Sequence, residues 1–261
     1  MRPVVHLPDA RTLQQVFTLK YGPPDRLGQG PRLRRRYDYH TPDDCYEAAV
    51  AALVVPGLRW LDVGCGRELL PNNPALATIL AGRCSRLVGV DPDPTLSENP
   101  YVHDKVAATI DDYDGRHGFD LVTLRMVAEH IADPERCVQA VQRALAPGGL
   151  ALVYTVFAGS PMPLLTRLCP MPVRHRVKSF LWGTSPKDTF PTCFRMNTRG
   201  RLQRLFAGVG MNEAAFLRLD DCRTFSRFPW ANELELRARA LCRVFGLPYP
   251  EHNLLGYYRW P

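Results

Sequence analysis

Apolar positions along this chain gather into short runs that alternate with stretches of helical spacing. Leu58 to Val63 is one apolar run, ending at Gly64, and Arg86 to Val90 is a second, ending at Asp91. Val106 to Ile110 and Gly118 to Leu124, the latter entered through a turn at Asp114-Gly115, predict a third and a fourth strand. Leu150 to Phe157 predicts a fifth. Between them the spacing changes. Thr41-Pro42-Asp43-Asp44 sets a capping hydroxyl, a proline at the first helical position and early carboxylates ahead of a helix reaching about Leu53, which Pro56-Gly57 stops. A helical stretch covers about Pro74 to Ala81. Asp133-Pro134-Glu135 repeats the start signal, Cys137, Val138, Val141 and Leu145 recur on one face, and Pro147-Gly148-Gly149 ends the helix. Strand alternating with helix predicts an α/β fold, a mostly parallel sheet with helices on both faces.

The two flanks break this rhythm. Residues 1–40 are rich in Pro, Gly and Arg and read as an irregular N-terminal extension. Residues 158–196, interrupted by Pro161, Pro163, Pro170, Pro172 and Pro186, read as a cap inserted after the fifth strand. From Asn197, which reads as a helix cap, the rhythm resumes. Leu202, Leu205, Phe206 and Val209 share a helix face, Gly210 ends it, and Ala214 to Leu219 is a strand. A helix over about Asn232 to Phe245 and a strand over Leu254 to Trp260 complete the sheet. The expected organisation is therefore 1–40 extension and cover, 41–157 core, 158–196 cap or substrate segment, and 197–261 completion of the sheet.

At 46% hydrophobic residues, 261 residues suffice for one sizeable core. No apolar run approaches the ~20 residues of a membrane span, and Met1 to Ala10 lacks the plan of a signal peptide. The eight cysteines are scattered without a Cys-x-x-Cys pair, which argues for reduced thiols, against zinc, and for the cytoplasm. The net charge of +7 is carried mostly by arginine, densest at Arg32, Arg34, Arg35 and Arg36. Nucleic acid or an anionic membrane surface would exploit such charge, but a solvated segment explains the cluster as well.

The candidate chemistry begins where the first strand meets glycine. Strand, glycine loop, helix, strand and acid make a nucleotide-type site: glycine lets backbone approach a ligand, a helix N-terminus offers unpaired N–H donors, and an acid ending the second strand accepts from ribose hydroxyls. Here those parts are Gly64, Gly66 and Asp91. A Gly-x-Gly alone marks only a tight turn.

The combination says more. Leu61-Asp62-Val63-Gly64-Cys65-Gly66, Gly89-Val90-Asp91, Phe119-Asp120-Leu121-Val122, Glu129-His130-Ile131-Ala132-Asp133-Pro134 and Leu145-Ala146-Pro147-Gly148-Gly149 follow the order of class I methyltransferases that use S-adenosylmethionine (SAM). The chain resembles that family from about Arg59 to Phe157, and most of all its small-molecule members related to ubiquinone-biosynthesis enzymes. Phe190 to Asn197 is in turn similar to a group of bacterial methyltransferases. The resemblance implies a Rossmann-like seven-stranded sheet of order 3-2-1-4-5-7-6 with the last strand antiparallel. It implies SAM as cofactor, with Asp62, Gly64, Cys65 and Gly66 along the methionine end, Asp91 on the ribose and Pro92 beside the adenosine. Arg125 stands where the family's backbone touches the cofactor, and Tyr39 and His40 belong to a segment that folds over it in related enzymes.

Two departures stand out. Glu68 replaces the third glycine of Gly-x-Gly-x-Gly, and Ala108 takes the place of the acid that commonly holds the adenine amino group. Thr109 or Ile110 would still offer a backbone N–H, and Asp111 or Asp112 would substitute after a register shift.

Methyl transfer needs alignment, exclusion of water and, for a protonated acceptor, a base. His130, after the fourth strand at the substrate rim, is the first candidate, and Glu129 the second, as base or orienting group. Each also reads as a packing or surface residue. The acceptor is expected beneath the cap, where Phe157, Met162, Leu164, Leu165, Phe180, Leu181 and Trp182 supply apolar surface. Arg174, His175, Arg176 and Lys178 supply positive charge there, suiting an acidic, amphipathic or aromatic small molecule, or a peripheral membrane contact. RNA methylation is the alternative that the arginine excess suggests, although no Asn-Pro-Pro-Tyr-type motif follows the fourth strand, where Leu124-Arg125-Met126-Val127 stands. A SAM-binding regulatory subunit without catalysis is the alternative that Glu68 and Ala108 suggest.

Overall fold

The computed structural model describes residues 3–161, 163 and 192–261. Its strands are β1 (Arg59–Val63), β2 (Arg86–Val90), β3 (Asp104–Val106), β4 (Phe119–Arg125), β5 (Leu145–Val156), β6 (Asn212–Asp220) and β7 (Glu251–Arg259). They form one sheet in the order β3-β2-β1-β4-β5-β7-β6. β1 to β5 pair in parallel, and β7 runs antiparallel to both β5 and β6. This is the order and the antiparallel last strand that the sequence resemblance implied.

Successive side chains of a strand face opposite sides, and the core divides accordingly. Trp60, Leu121, Leu152 and Tyr154 pack with Tyr46, Val50, Ala77 and Leu80 on one face. Leu61, Val63, Val122 and Leu124 pack with Val138, Val141, Leu202 and Phe206 on the other. Burial on both faces is why β1, β2 and β4 read as near-continuous apolar runs. The helices of the first face are α3 (Pro42–Leu53) and α4 (Pro74–Arg83); those of the second are α5 (Pro134–Ala144) and α6 (Arg199–Gly208). The cap of α3 is a full capping box, Thr41 and Asp44 each accepting the other's backbone N–H.

Several boundaries differ from expectation. The third strand lies earlier, over Asp104–Val106, and Ile110–Asp112 forms a single 3-10 turn. The cap of α6 is Thr198, because Asn197 turns inward and donates to Thr155 and to the Val156 carbonyl. The helix α7 spans Pro229–Val244.

The largest correction concerns residues 1–40, which are not irregular. They hold helices α1 (Ala10–Tyr21) and α2 (Gln29–Arg36), the first capped by Asp9. α1 docks by the buried Val16 and Phe17 together with polar contacts. The Lys20 ammonium, nearly buried, lies 3.0 Å from Asp44 and 2.8 Å from Glu47, and Glu47 also accepts from Asn73. Burial works against the Lys20 charge, but the two carboxylates hold the ammonium well above its ordinary range. Of the arginine cluster, Arg34 stacks over the Tyr21 ring at 4.7 Å, while Arg35 and Arg36 face solvent. Among the described residues no helix is long and apolar enough to cross a membrane.

Candidate active site

The carboxyl ends of β1, β2 and β4 converge on the glycine loop. Gly64 has φ +69°, and a Cβ there would stand 2.2 Å from Cγ2 of Val127, in the turn after β4. Only glycine lets the two turns close on each other. Gly66, at φ +47°, donates its N–H to Oδ2 of Asp91 at 2.8 Å, and its carbonyl accepts from the buried Asn99. Cys65 turns its thiol into the core against Gly89, where a Cβ would meet the sulfur at 2.5 Å. Burial pushes that thiol up, so Cys65 has only backbone to offer a ligand.

The helix expected to present free N–H donors directly behind the loop is set back. Residues 67–73 intervene, Leu69 and Leu70 are buried, and Asn73 caps α4 by accepting the Leu76 N–H. Glu68 is therefore exposed and is not among the residues with positive φ. With no helix starting there, the position of the missing third glycine makes no tight turn that would need one.

Asp91 is half-buried; its two oxygens accept from Gly66 and Asp93, and each keeps a lone pair free. A ribose diol fits that remaining capacity. Pro92 is exposed beside it. On the far side of this turn Thr109 is exposed and bonds to Asp112, and Ile110 is buried in the core. Oδ1 of Asp111 is buried without a partner, and burial raises its carboxyl. Asp62 is buried on the sheet face of Trp60 and accepts from the Thr123 hydroxyl, which in turn accepts from the Trp60 indole at 2.7 Å. Burial pushes the Asp62 carboxyl up to about 7.

β4 ends at Arg125, and Met126 follows in the left-handed region at φ +54°, its N–H donating to the Tyr154 carbonyl. Glu129 is buried. Its carboxylate accepts from Thr155 at 2.7 Å, and its carbonyl accepts from the N–H groups of Cys193 and Phe194. Burial raises the Glu129 carboxyl. Glu129 thus ties the turn after β4 to β5 and to the chain entering α6. His130 is half-buried one residue on, its N–H bonded to the Val127 carbonyl.

Beside these turns lies a cavity of about 650 Å³, walled by Asp43, Arg125, Met126, Tyr154, Arg223 and His252 among others. In the sequence Asp43 reads only as a helix-start acid, and Tyr154, Arg223 and His252 carry no functional signal. Arg223 grips Asp221 with Nε at 2.8 Å and Nη2 at 2.7 Å, and reaches Asp43 with Nη1 at 2.6 Å. The buried Tyr154 hydroxyl donates to the other oxygen of Asp43 at 3.2 Å. Burial alone would raise Asp43; the Arg223 charge outweighs it and holds the carboxyl below its ordinary range. An apolar groove of about 760 Å³, lined by Phe228, Trp230 and Leu234 of the α7 region, shares Thr224 and His252 with the cavity.

Tyr39 does not join this site. It is buried with Cys222 and Leu236, donates its hydroxyl hydrogen to the Asp220 carbonyl and accepts the Cys222 N–H at 2.9 Å. Its polar atom is spent on fastening the N-terminal segment to the end of β6, which removes it from the cofactor set. His40 packs edge-on against Phe17. The cap residues Met162, Leu164, Leu165, Arg174, His175, Arg176, Lys178, Phe180, Leu181 and Trp182 lie outside the described residues. Among the described residues no group of three or more His, Cys, Asp or Glu side chains is placed to hold a metal ion.

Sheet order, glycine loop and the acid after β2 together define a class I methyltransferase. A methyltransferase-domain family model matches residues 33–212, and the chain belongs to that family, whose cofactor is SAM. It is 34% identical over 108 residues to a ubiquinone biosynthesis O-methyltransferase of Bradyrhizobium sp. (strain ORS 278), a match covering 38% of this chain and 40% of the relative. A Methylobacterium sp. (strain 4-46) protein of the same description is 33% identical over 109 residues, 38% of this chain and 41% of that one. The chain thus spans about two fifths of the curated relatives it matches. Among solved structures, an S-adenosylmethionine dependent methyltransferase from Mesorhizobium loti superimposes with a TM-score of 0.51 at 16% identity, over 79% of this chain and 92% of that one. The cyclopropane synthase MmaA2 from Mycobacterium tuberculosis does so at 0.52 and 12%, over 93% and 98%. These two likenesses show the shared fold.

Proposed function

We propose that the chain transfers the methyl group of SAM to a small-molecule acceptor held in the cavity beside Arg125. The observation that carries this reading is adjacency: the cavity opens at Arg125 and Met126, the residues that end β4 beside the glycine loop. Bound SAM supplies a sulfonium-activated methyl group; the protein's own tasks are alignment, exclusion of water and proton removal. Asp62, Gly64, Cys65 and Gly66 line the methionine end, the last two through backbone. Asp91 orients the ribose, with Pro92, Thr109 and Ile110 along the adenosine and the Arg125 backbone at the methionine end. The Arg125 side chain, without a hydrogen-bond partner among the described residues, and the adjoining apolar groove support an acidic, amphipathic or aromatic acceptor, with O-methylation suggested by the named relatives. His130 is the proposed base, with Glu129 fixing its turn. The scattered thiols support work in the cytoplasm.

Calorimetry with S-adenosylhomocysteine tests the cofactor site: Asp91→Ala should weaken binding about 100-fold, the scale of two charge-assisted hydrogen bonds. Unchanged affinity sinks the assignment. Methyl-labelled SAM incubated with fractionated metabolites should yield a labelled small molecule, and His130→Ala should slow its formation by about 10²–10⁴. Label appearing only in RNA or protein would contradict the acceptor class.

A further inference from the structure

Around the cavity one charged side chain has no ion-pair partner among the described residues. Asp43 and Asp221 share Arg223, which spends three nitrogens on them. Tyr154 completes Asp43, and Nδ1 of His252 stands 3.3 Å from the Asp221 N–H. The side chain of Arg125 alone among these charged residues makes neither a hydrogen bond nor an ion pair with any described residue, although it feels Asp43, Asp62 and Glu129 at longer range. Those acids do not serve it. Asp62 is committed to Thr123 and Glu129 to Thr155, and burial drives both carboxyls toward the neutral form.

The position of Arg125 is as informative as its lack of a side-chain partner among the described residues. Its side chain leaves β4 on the face of Asp62 and Thr123, and pairing sets Arg125 opposite Tyr154. It walls the large cavity together with Asp43, and also a narrow crevice with Tyr46, Glu47 and Asn72 beneath the start of α3. Arg125 therefore stands between the place where the methionine end of the cofactor would lie and the place where the acceptor would lie.

We propose that the Arg125 guanidinium is the carboxylate receptor of this site, taking the α-carboxylate of the cofactor or a carboxylate on the acceptor. A planar fork of N–H donors matches a carboxylate with two parallel hydrogen bonds. A phosphate dianion fits less well, because Asp43 and Asp221 face the same cavity and Arg223 is already neutralised twice. The inference rests on the proposed function and adds to it a receptor and a ligand charge.

Three probes test it: S-adenosylhomocysteine, 5′-methylthioadenosine, which lacks the amino-acid end, and benzoate. If Arg125 takes the cofactor's carboxylate, Arg125→Gln weakens S-adenosylhomocysteine binding at least tenfold and leaves methylthioadenosine within twofold. If it takes the acceptor's, both adenosyl ligands stay within twofold, and benzoate binding, followed by ligand-detected NMR, is lost. Arg125→Lys, which keeps the charge but not the fork, should fall between wild type and Arg125→Gln, and it keeps the test open should the Gln variant fold poorly. Equal weakening of both adenosyl ligands, or no change for any probe, overturns the proposal. Failure of the unaltered protein to bind either adenosyl ligand would overturn the cofactor reading instead, and the benzoate comparison would still decide the receptor.

Discussion

The glycine-loop side and the cavity side of this site are built by opposite means. On the glycine-loop side, Gly66 and Asp91 meet across 25 positions of sequence, through backbone groups and one acid. On the cavity side, Arg223 reaches Asp43 across 180 positions, and the neighbouring Cys222 fastens Tyr39, outside the cavity, across 183. The first arrangement depends on steric fit within one strand–turn–strand unit. The second depends on the whole chain having closed, and is held by charge. Damage to the two sides should therefore differ in kind as well as in size.

Gly64→Ala should be the most harmful change, because it adds a side chain in a left-handed conformation and drives it into Val127. A loss of about 3 kcal/mol is expected from strain plus overpacking, read from the denaturant midpoint. Adding Val127→Ala should relieve the clash while leaving the backbone strain, and a single variant as stable as wild type would refute the close approach of the two turns.

Arg223→Ala should come next, at about 2 kcal/mol, below the range for fully buried pairs because the side chain is partly exposed. It should leave S-adenosylhomocysteine affinity within twofold, whereas Gly64→Ala should not; equal damage to cofactor binding would erase the distinction between the two sides. The same cluster gives a pH signature. Arg223 holds the Asp43 carboxyl below its unfolded value of 3.8, so this contribution is present above about pH 4 and is lost as pH falls through the lower folded value. Asp43→Asn should flatten that acid limb of the stability profile, and an unchanged limb would remove Asp43 from the explanation.

Tyr39→Phe should cost least, about 1 kcal/mol for a buried hydroxyl that both donates and accepts. It should lower the melting temperature without weakening the cofactor, which separates it from a residue that covers the ligand. A selective loss of cofactor affinity would restore Tyr39 to the site.

What the sequence made legible follows the same division. The caps at Thr41 and Asp133 and the apolar runs of β1, β2 and β4 are local signals, and each element formed where they pointed. The glycine loop and Asp91 were legible because their spacing is set by one strand and one helix. Helices α1 and α2 were not, because α1 docks partly through the Lys20 ion pairs, which leave no periodic mark, and half of α2 is arginine with little apolar periodicity. β3 was misplaced because it is three residues long at the sheet edge, with Asp104 and Lys105 exposed. Arg223 carries no local mark: Asp221-Cys222-Arg223 has neither a periodic pattern nor a recognisable spacing, and its meaning comes only from Asp43 arriving beside it.

The backbone at Met126 bears on the range of compounds this site would accept. A non-glycine residue at φ +54° is strained by about 1 kcal/mol or more, so stability alone would favour glycine there. What methionine adds is an unbranched thioether on the cavity wall, able to change shape at little energetic expense. On the proposed function, position 126 governs breadth rather than speed: a wall that yields to guests of different outline suits a catalyst of several related acceptors, and stiffening it with a β-branched residue would narrow that repertoire.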